Sequence, residues 1–340
     1  MSKLGKKILI TGGTGSWGNE LVTQLLEDDD SIHQIRIYSR SEHRQVEMKR
    51  KFNFHPKLKF IIGDVRDKNI LTLAMTDIDV VFHLAALKHV PVCEENTWEA
   101  VLTNVIGTQN VIEAAIKNNV STVVDVSTDK AVDPFNLYGV TKACGEKLMI
   151  NANFNYSFDS VQRKTRFICV RGGNVIGTNG SVIPLFKKQL EESNSITITE
   201  PHMTRYLMST KQAIQLLLTA VDKSVGGELF VMKMPATTVG TIAETMIDLF
   251  GNAKSKVVHI GARPGEKLHE ILVSQNEAPS TLVYSKNYFL VQPQIGPKKH
   301  FARYKRLKRV EFHEFTSQNA QQLDKNELKV LLKNEKWLWQ

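Results

Sequence analysis

A glycine-rich heptad, Gly12-Gly13-Thr14-Gly15-Ser16-Trp17-Gly18, follows the apolar run 7–11 and opens an amphipathic stretch, 16–26. Few features restrict a fold as tightly. Glycines at positions 12, 15 and 18 allow a tight turn, close approach of backbone to a pyrophosphate, and close packing of helix on strand. The helix start then presents free amides to phosphate oxygens. Loops are often glycine-rich, so the motif alone is a weak signal. Its place after a strand and before a helix is what marks a nucleotide site, with Gly12, Thr14, Gly15, Ser16 and Gly18 as its residues.

The following hundred residues keep the alternation. Apolar runs at 34–38, 57–62, 80–83 and 122–127 are separated by helical patterns at 43–52, 70–75 and 97–118. Short connections between such elements predict an α/β fold, a Rossmann-like doubly wound parallel sheet with right-handed crossovers. Ligands bind such sheets at the carboxyl ends of the strands. The residues after each run are therefore the candidates. Ser39, Arg40 and Arg44 follow the second run, where an NAD site usually places an acid for the ribose 2′-hydroxyl and an NADP site an arginine. NADP is favoured, although Arg40 and Arg44 could simply be exposed residues at a helix start. Asp64 and Val65 follow the third run, and Asp64 can accept from an adenine amino group. Leu84, Ala85 and Ala86 follow the fourth, where small residues let backbone pass close to a cofactor. Lys88 and His89 come next and either face an anionic substrate or lie on the surface.

After the fifth run stand Ser127-Thr128-Asp129-Lys130 and then Tyr138-Gly139-Val140-Thr141-Lys142. A hydroxyl, a carboxylate, two amines and a phenol fall within sixteen residues. Pro134 blocks an earlier helix, so a helix starting at Asn136 would carry Tyr138 and Lys142 back towards the strand end.

A sixth strand is expected at 165–170, closing a first domain over 1–175 that holds the dinucleotide site and the reactive groups. Beyond it the pattern loosens into a smaller α+β region, 176–285, that would bind substrate, and a C-terminal tail, 286–340. Gly180-Ser181-Val182-Ile183-Pro184 opens a helix and offers an amide-rich end. The segments 196–199 and 203–206 read as short strands around a turn, 211–221 and 242–250 as helices, and 229–231 as a strand. Arg205 and Arg263 suit a diphosphate by their fork geometry, or are surface charges.

Composition bounds the rest. The formal net charge is +9, and Lys298, Lys299, Arg303, Lys305, Arg306, Lys308 and Arg309 supply seven positive charges within twelve residues. Phe301 and Tyr304 are interleaved, which admits nucleic-acid binding; a solvated surface or subunit contact is the plainer reading. No apolar run approaches the roughly 18–20 residues of a membrane span. Three scattered cysteines, Cys93, Cys144 and Cys169, suit a reducing, cytoplasmic setting, and none of the ten histidines has metal-ligand spacing.

Tyr138-x-x-x-Lys142 with the glycine motif ahead of it resembles the extended short-chain dehydrogenase/reductase superfamily. Six blocks narrow this: Ala85–Pro91, Ser127–Ala131, Asn136–Gly139, Gly180–Pro184, Met203–Arg205 and Arg263–Glu270. Together they resemble soluble UDP-N-acetylglucosamine 4,6-dehydratases that also invert carbon 5. Two departures stand near the expected sugar and uridine contacts: Thr178-Asn179 where family members commonly have Ser-Arg, and Gly172 where they have a bulkier residue. The resemblance implies a tightly bound NADP regenerated in each turnover, contacted by Tyr138 and Lys142 as well. It implies that Lys142 lowers the pKa of Tyr138, which takes the proton of the sugar's 4-hydroxyl while Thr128 bonds that hydroxyl. Lys130, as a neutral amine, would remove the carbon 5 proton, and a protonated Asp129 would donate to the departing 6-hydroxyl. Substrate contacts would come from Lys88, His89, Asn174, Ser181, Val182, Thr199, Arg205, Arg263 and Glu266. Superfamily members usually dimerise through the helices near 97–118 and 136–152, and this family often assembles further, into hexamers for example. A UDP-sugar 4-epimerase and a non-catalytic nucleotide or nucleic-acid-binding module remain the alternatives.

Overall fold

The computed structural model describes residues 5–28, 31–155, 165–177, 181–261, 266–335 and 338. Six strands come from the first half: β1 (Lys7–Thr11), β2 (Gln34–Ser39), β3 (Leu58–Ile62), β4 (Val80–His83), β5 (Thr122–Thr128) and β6 (Arg166–Gly172). They lie side by side in the order β3-β2-β1-β4-β5-β6, all parallel. The expected doubly wound sheet is therefore present, and the strand order reverses between β1 and β4, which opens a crevice at the carboxyl edge. Helices cover both faces, so these strands need apolar residues on both sides. Ile8, Leu9, Ile10, Val80, Val81, Phe82, Val123 and Val124 are fully buried. Each such side chain contributes about 1.5–3 kcal/mol relative to exposure.

The later chain returns to the same sheet. Leu229–Met232 adds parallel to β6, Tyr288–Val291 adds antiparallel to that strand, and Thr281–Val283 forms the edge. Residues 286–340 are consequently divided between two cores. Tyr288–Val291 is buried in the sheet, Phe315–Thr316 pairs with Ile271–Val273, and the helix Lys325–Lys333 places Leu328 and Leu332 in a second cluster. The apolar run at 288–291 is what draws this segment inward.

That second cluster joins the helices Val182–Ser193, Val239–Phe250 and Lys325–Lys333 through Ile183, Phe186, Leu190, Ile242, Met246 and Leu328. Two expected neighbours here do not pair with each other. Ser195–Ile198 runs parallel to Lys256–His259, and Thr204–Tyr206 runs antiparallel to Ala236–Thr238. Pro201 between them has no N–H for a ladder, and its carbonyl accepts from Gly240, which turns the connection towards the helix at 239–250.

The helix expected over 97–118 is interrupted. Thr97–Val101 leads into a π-helical turn, Leu102–Ile106, before Gly107–Lys117 resumes. Such widened turns often sit at functional sites, and this one buries Thr103 and Asn104. In the basic segment, Tyr304 is buried with its hydroxyl donating to Glu228 Oε1 at 2.6 Å, and Phe301 packs on Phe154. The aromatics face inward. Exposed Arg303, Lys305, Arg306, Lys308 and Arg309 therefore lack the stacking platforms that single-stranded nucleic-acid sites use. Among the described residues, no helix is long and apolar enough to cross a membrane.

Candidate active site

One cavity of about 1110 Å³ runs along the carboxyl edge of the parallel strands, between the sheet and the second cluster. Its floor at β1 is the glycine loop. Gly12 sits at φ 65°, and a Cβ there would stand 2.8 Å from the Ala85 backbone; one on Gly18 would stand 2.1 Å from the Gly13 carbonyl oxygen. Only glycine fits at positions 12 and 18, the second of them already inside the helix Ser16–Asp28. Thr14, Gly15 and Ser16 line the cavity with these two glycines.

At one end the wall is formed by Ser39, Arg40 and Arg44 after β2, Asp64 and Val65 after β3, and Leu84, Ala85 and Ala86 after β4. Arg40 and Arg44 are exposed. Asp64 accepts from Arg66 at 2.6 Å and lies 4.0 Å from Arg40. Burial opposes its charge, but the Arg66 bonds, aided by Arg40, hold the carboxyl below the usual carboxylate range. At the other end are Lys88 and His89, Asn174, Ser181, Val182, Thr199, Arg205 and Glu266. Arg263 lies outside the described residues, as do Thr178 and Asn179. At Gly172, a Cβ would meet the Met208 methyl at 2.5 Å, so Met208 fills the space a larger residue would take.

The reactive groups meet between these ends. The Thr128 hydroxyl donates to Asp129 Oδ1 at 2.8 Å, and Lys130 Nζ donates to the same oxygen at 3.1 Å. Asn174 Oδ1 lies 3.5 Å from Nζ on the far side. Thr128 and Lys130 line the cavity, whereas Asp129 is fully buried just behind it. Glu270, which sequence reasoning left without a role, brings Oε1 to 3.7 Å from Lys130 Nζ and 3.8 Å from Arg205 Nε. Its only signal in the sequence was its place at the end of the 263–270 block.

Tyr138 and Lys142 both line the cavity from the helix Leu137–Asn155, which Asn136 starts by accepting from Gly139 N at 2.8 Å. Behind Lys142 stands Asp125 of β5, fully buried, with both carboxylate oxygens 3.4 Å from Nζ. An acid inside Val123-Val124-Asp125-Val126 was legible as an oddity, since a buried carboxylate needs a partner.

One electrostatic expectation is overturned, and a second holds in direction but is outweighed. Burial disfavours charge on Lys130, but the Asp129 and Glu270 carboxylates outweigh it and raise the pKa above the ordinary lysine value. Lys130 rests as an ammonium, not as the neutral amine expected from desolvation. For Tyr138, burial raises the phenol's pKa, and the nearby Lys142 and Lys130 cations only partly offset it. Burial also opposes the charge of Lys142, while Asp125 sustains it; burial lifts Asp125 to about 6 against the pull of Lys142.

Four buried side-chain atoms find no partner among the described residues: Thr103 Oγ1, Ser127 Oγ, Asp129 Oδ2 and Ser181 Oγ. Thr103, Ser127 and Ser181 line the cavity, and Asp129 adjoins it. Buried polar groups are almost always satisfied, so this clustering fits a polar ligand that completes them. Among the described residues no group of three His, Cys, Asp or Glu side chains is placed to hold a metal ion.

The glycine loop after β1, the switch-point cavity and the Tyr138/Lys142 pair at the end of β5 define a Rossmann-like protein of short-chain dehydrogenase/reductase type. More narrowly, the chain belongs to the polysaccharide biosynthesis protein family, whose profile matches residues 8–292. It is 44% identical over 337 residues to a UDP-glucose 4-epimerase of Rickettsia bellii (strain OSU 85-389), covering 97% of this chain and 96% of the relative. A Rickettsia canadensis protein of the same name is 43% identical over 333 residues, covering 96% and 95%. Among solved structures, Pen from Bacillus thuringiensis is similar with a TM-score of 0.88 and 38% identity, covering 98% of this chain and all of that one. DesIV, a dTDP-glucose 4,6-dehydratase from Streptomyces venezuelae solved with NAD, shares the fold at a TM-score of 0.71 and 22% identity, covering 87% and 95%.

Proposed function

We propose that this protein is a nucleotide-sugar-modifying enzyme that carries out 4,6-dehydration of UDP-N-acetylglucosamine with inversion at carbon 5. The product would be a UDP-2-acetamido-2,6-dideoxy-4-hexulose for glycan or polysaccharide biosynthesis. The observation that carries this reading is the Asp129–Lys130 pair, 3.1 Å apart, with Lys130 lining the cavity alongside Tyr138 and Asp129 buried just behind it. Oxidation at carbon 4 needs only Tyr138 and Lys142; removing a proton from carbon 5 and a hydroxyl from carbon 6 needs a further base and acid.

The glycine loop, the alanines after β4 and the unpartnered hydroxyls of Thr103 and Ser127 suit a nicotinamide dinucleotide. When bound, that cofactor supplies the hydride acceptor and donor. Arg40 and Arg44 favour a 2′-phosphate and hence NADP, while Asp64 at 4.0 Å from Arg40 offsets part of that charge. Tyr138 Oη, once ionised to the phenolate, takes the proton of the 4-hydroxyl, which Thr128 orients. Lys142, held charged by Asp125, stabilises the phenolate. Once deprotonated, Lys130 Nζ takes the carbon 5 proton, made acidic by the adjacent ketone, and Asp129 in its protonated form gives a proton to the departing oxygen. Tyr138 is the candidate to return a proton to the opposite face. The helix start at Ser181 and Val182, with Arg205, Lys88 and His89, suits the diphosphate, and Asn174, Thr199 and Glu266 suit sugar and uridine. Arg263 shares the diphosphate role by its sequence motif.

A UDP-sugar 4-epimerase is the second reading, favoured by the names of the relatives at 42–44% identity. It would use Tyr138 and Lys142 and leave Lys130 without a task. Lys130→Ala is expected to abolish formation of the 4-keto-6-deoxy sugar while the dinucleotide stays bound. Normal turnover in that variant would remove Lys130 from the mechanism.

A further inference from the structure

Lys130 must lose a proton before it can act as a base, yet its surroundings hold that proton on. Two carboxylates flank the ammonium: Asp129 Oδ1 at 3.1 Å and Glu270 Oε1 at 3.7 Å. They are not equivalent. Asp129 Oδ1 already accepts from both Thr128 and Lys130. Glu270 stands beyond hydrogen-bond distance of either cation it faces, Lys130 or Arg205 at 3.8 Å. Its main chain is held firmly, with Glu270 N donating to Ser317 Oγ and Ser317 N donating to the Glu270 carbonyl, both at 2.8 Å. The side chain is 6% exposed and the carboxyl lies on the cavity wall.

We propose that Glu270 accepts the Lys130 proton when substrate fills the cavity, so that the pair passes from ammonium and carboxylate to amine and carboxylic acid. This rests on the dehydratase reading of the same site. The exchange moves one proton from Nζ to Oε1 and leaves the net charge of the pair at zero, so no solvent base is needed. Bound substrate excludes water, which penalises the charged form of the pair more than the neutral one. Burial already pushes the Glu270 carboxyl above the usual range, and Asp129 pushes it further, against the pull of Lys130, Arg205 and Lys267. The charged and titratable groups facing it are Lys130 and Asp129 after β5, Arg205 and Tyr206 on the strand 204–206, and Lys267 on its own segment; the neighbouring His269 ring bonds Thr204 Oγ1 instead. Glu270 acts through Lys130 and is a positioning residue for the proton.

The test is the pH dependence of product formation from UDP-N-acetylglucosamine by Glu270→Gln, Glu270→Asp and the wild type. With an internal acceptor, the wild-type rate is nearly flat from roughly pH 6.5 to 8.5. Glu270→Gln cannot take the proton, so its rate is expected to fall at least tenfold near pH 7 and climb about tenfold per pH unit. Glu270→Asp keeps a carboxyl and is expected to restore the flat profile at reduced rate. A Gln variant that loses rate equally at every pH has only a structural role there and overturns the proposal. Should Glu270→Gln fail to fold, wild-type exchange of the carbon 5 hydrogen with solvent deuterium decides alone, and a rate rising tenfold per unit overturns it. A wild type that releases no water overturns the dehydratase reading instead, so the two failures are distinct.

Discussion

Gly139 lies against Lys130: a Cβ built on Gly139 would stand 2.1 Å from the Lys130 carbonyl oxygen. The helix that carries Tyr138 and Lys142 thus packs directly on the turn that carries Asp129 and Lys130. Both halves of the reactive stretch share one wall because residue 139 has no side chain. Gly139→Ala must push helix and turn apart. Overpacking of this kind typically costs about 1–3 kcal/mol. Urea unfolding is expected to show that loss, with turnover reduced more than tenfold because Tyr138 and Lys130 are displaced relative to each other. Wild-type stability and rate in the alanine variant would contradict the close approach.

Asp125 and Lys142 give a stability prediction with a sign. The Asp125 carboxyl titrates at about 6 in the folded protein, against 3.8 ordinarily. The folded state therefore binds a proton there more tightly than the unfolded one, and this contribution is present below about pH 4 and lost as pH rises through about 6. Two pKa units correspond to about 3 kcal/mol. Chemical denaturation of wild type and Asp125→Asn should show the wild type losing stability relative to the variant by roughly this amount between pH 4 and 6. A difference that is constant or grows with pH over that window would refute the assignment.

Arg40 is exposed at the cavity end expected to hold the adenosine ribose. Arg40→Ala should weaken NADP binding about tenfold, or about 1.4 kcal/mol, and leave NAD binding within twofold. Titration calorimetry with both dinucleotides reads this directly. Equal losses for the two would return Arg40 to the plain surface role.

Trp98, Ile106 and Val140 are 65%, 41% and 47% exposed on the helical segments that the superfamily resemblance associates with dimer formation. Trp98→Asp should shift the sedimentation coefficient from an assembled species to a monomer. An unchanged coefficient places any subunit contact elsewhere.

The fold was legible because the strands β1, β4 and β5 announce themselves as short apolar runs with motif residues at their carboxyl ends. That they form a parallel, doubly wound sheet with its site at the strands' carboxyl ends follows from connection rules; their order comes from the structure. What stayed hidden was long-range. Leu229–Met232, Thr281–Val283 and Tyr288–Val291 extend the same sheet across as many as 120 residues, and no local pattern encodes which edge a strand will join. The π-helical turn at Leu102–Ile106 was masked by a periodicity that looked continuous. For the site, side-chain types were readable and protonation states were not. Lys130 looked like a desolvated amine because Asp129 alone is its neighbour in sequence, whereas Glu270 reaches it from 140 positions away.

Product mass from UDP-N-acetylglucosamine tests the central claim most directly. Purified protein with the sugar nucleotide should yield a species lighter by one water, with one solvent deuterium at carbon 5 when the reaction runs in D2O. A product of unchanged mass with only carbon 4 inverted would contradict the dehydratase account and leave Asp129, Lys130 and Glu270 without the chemistry assigned to them.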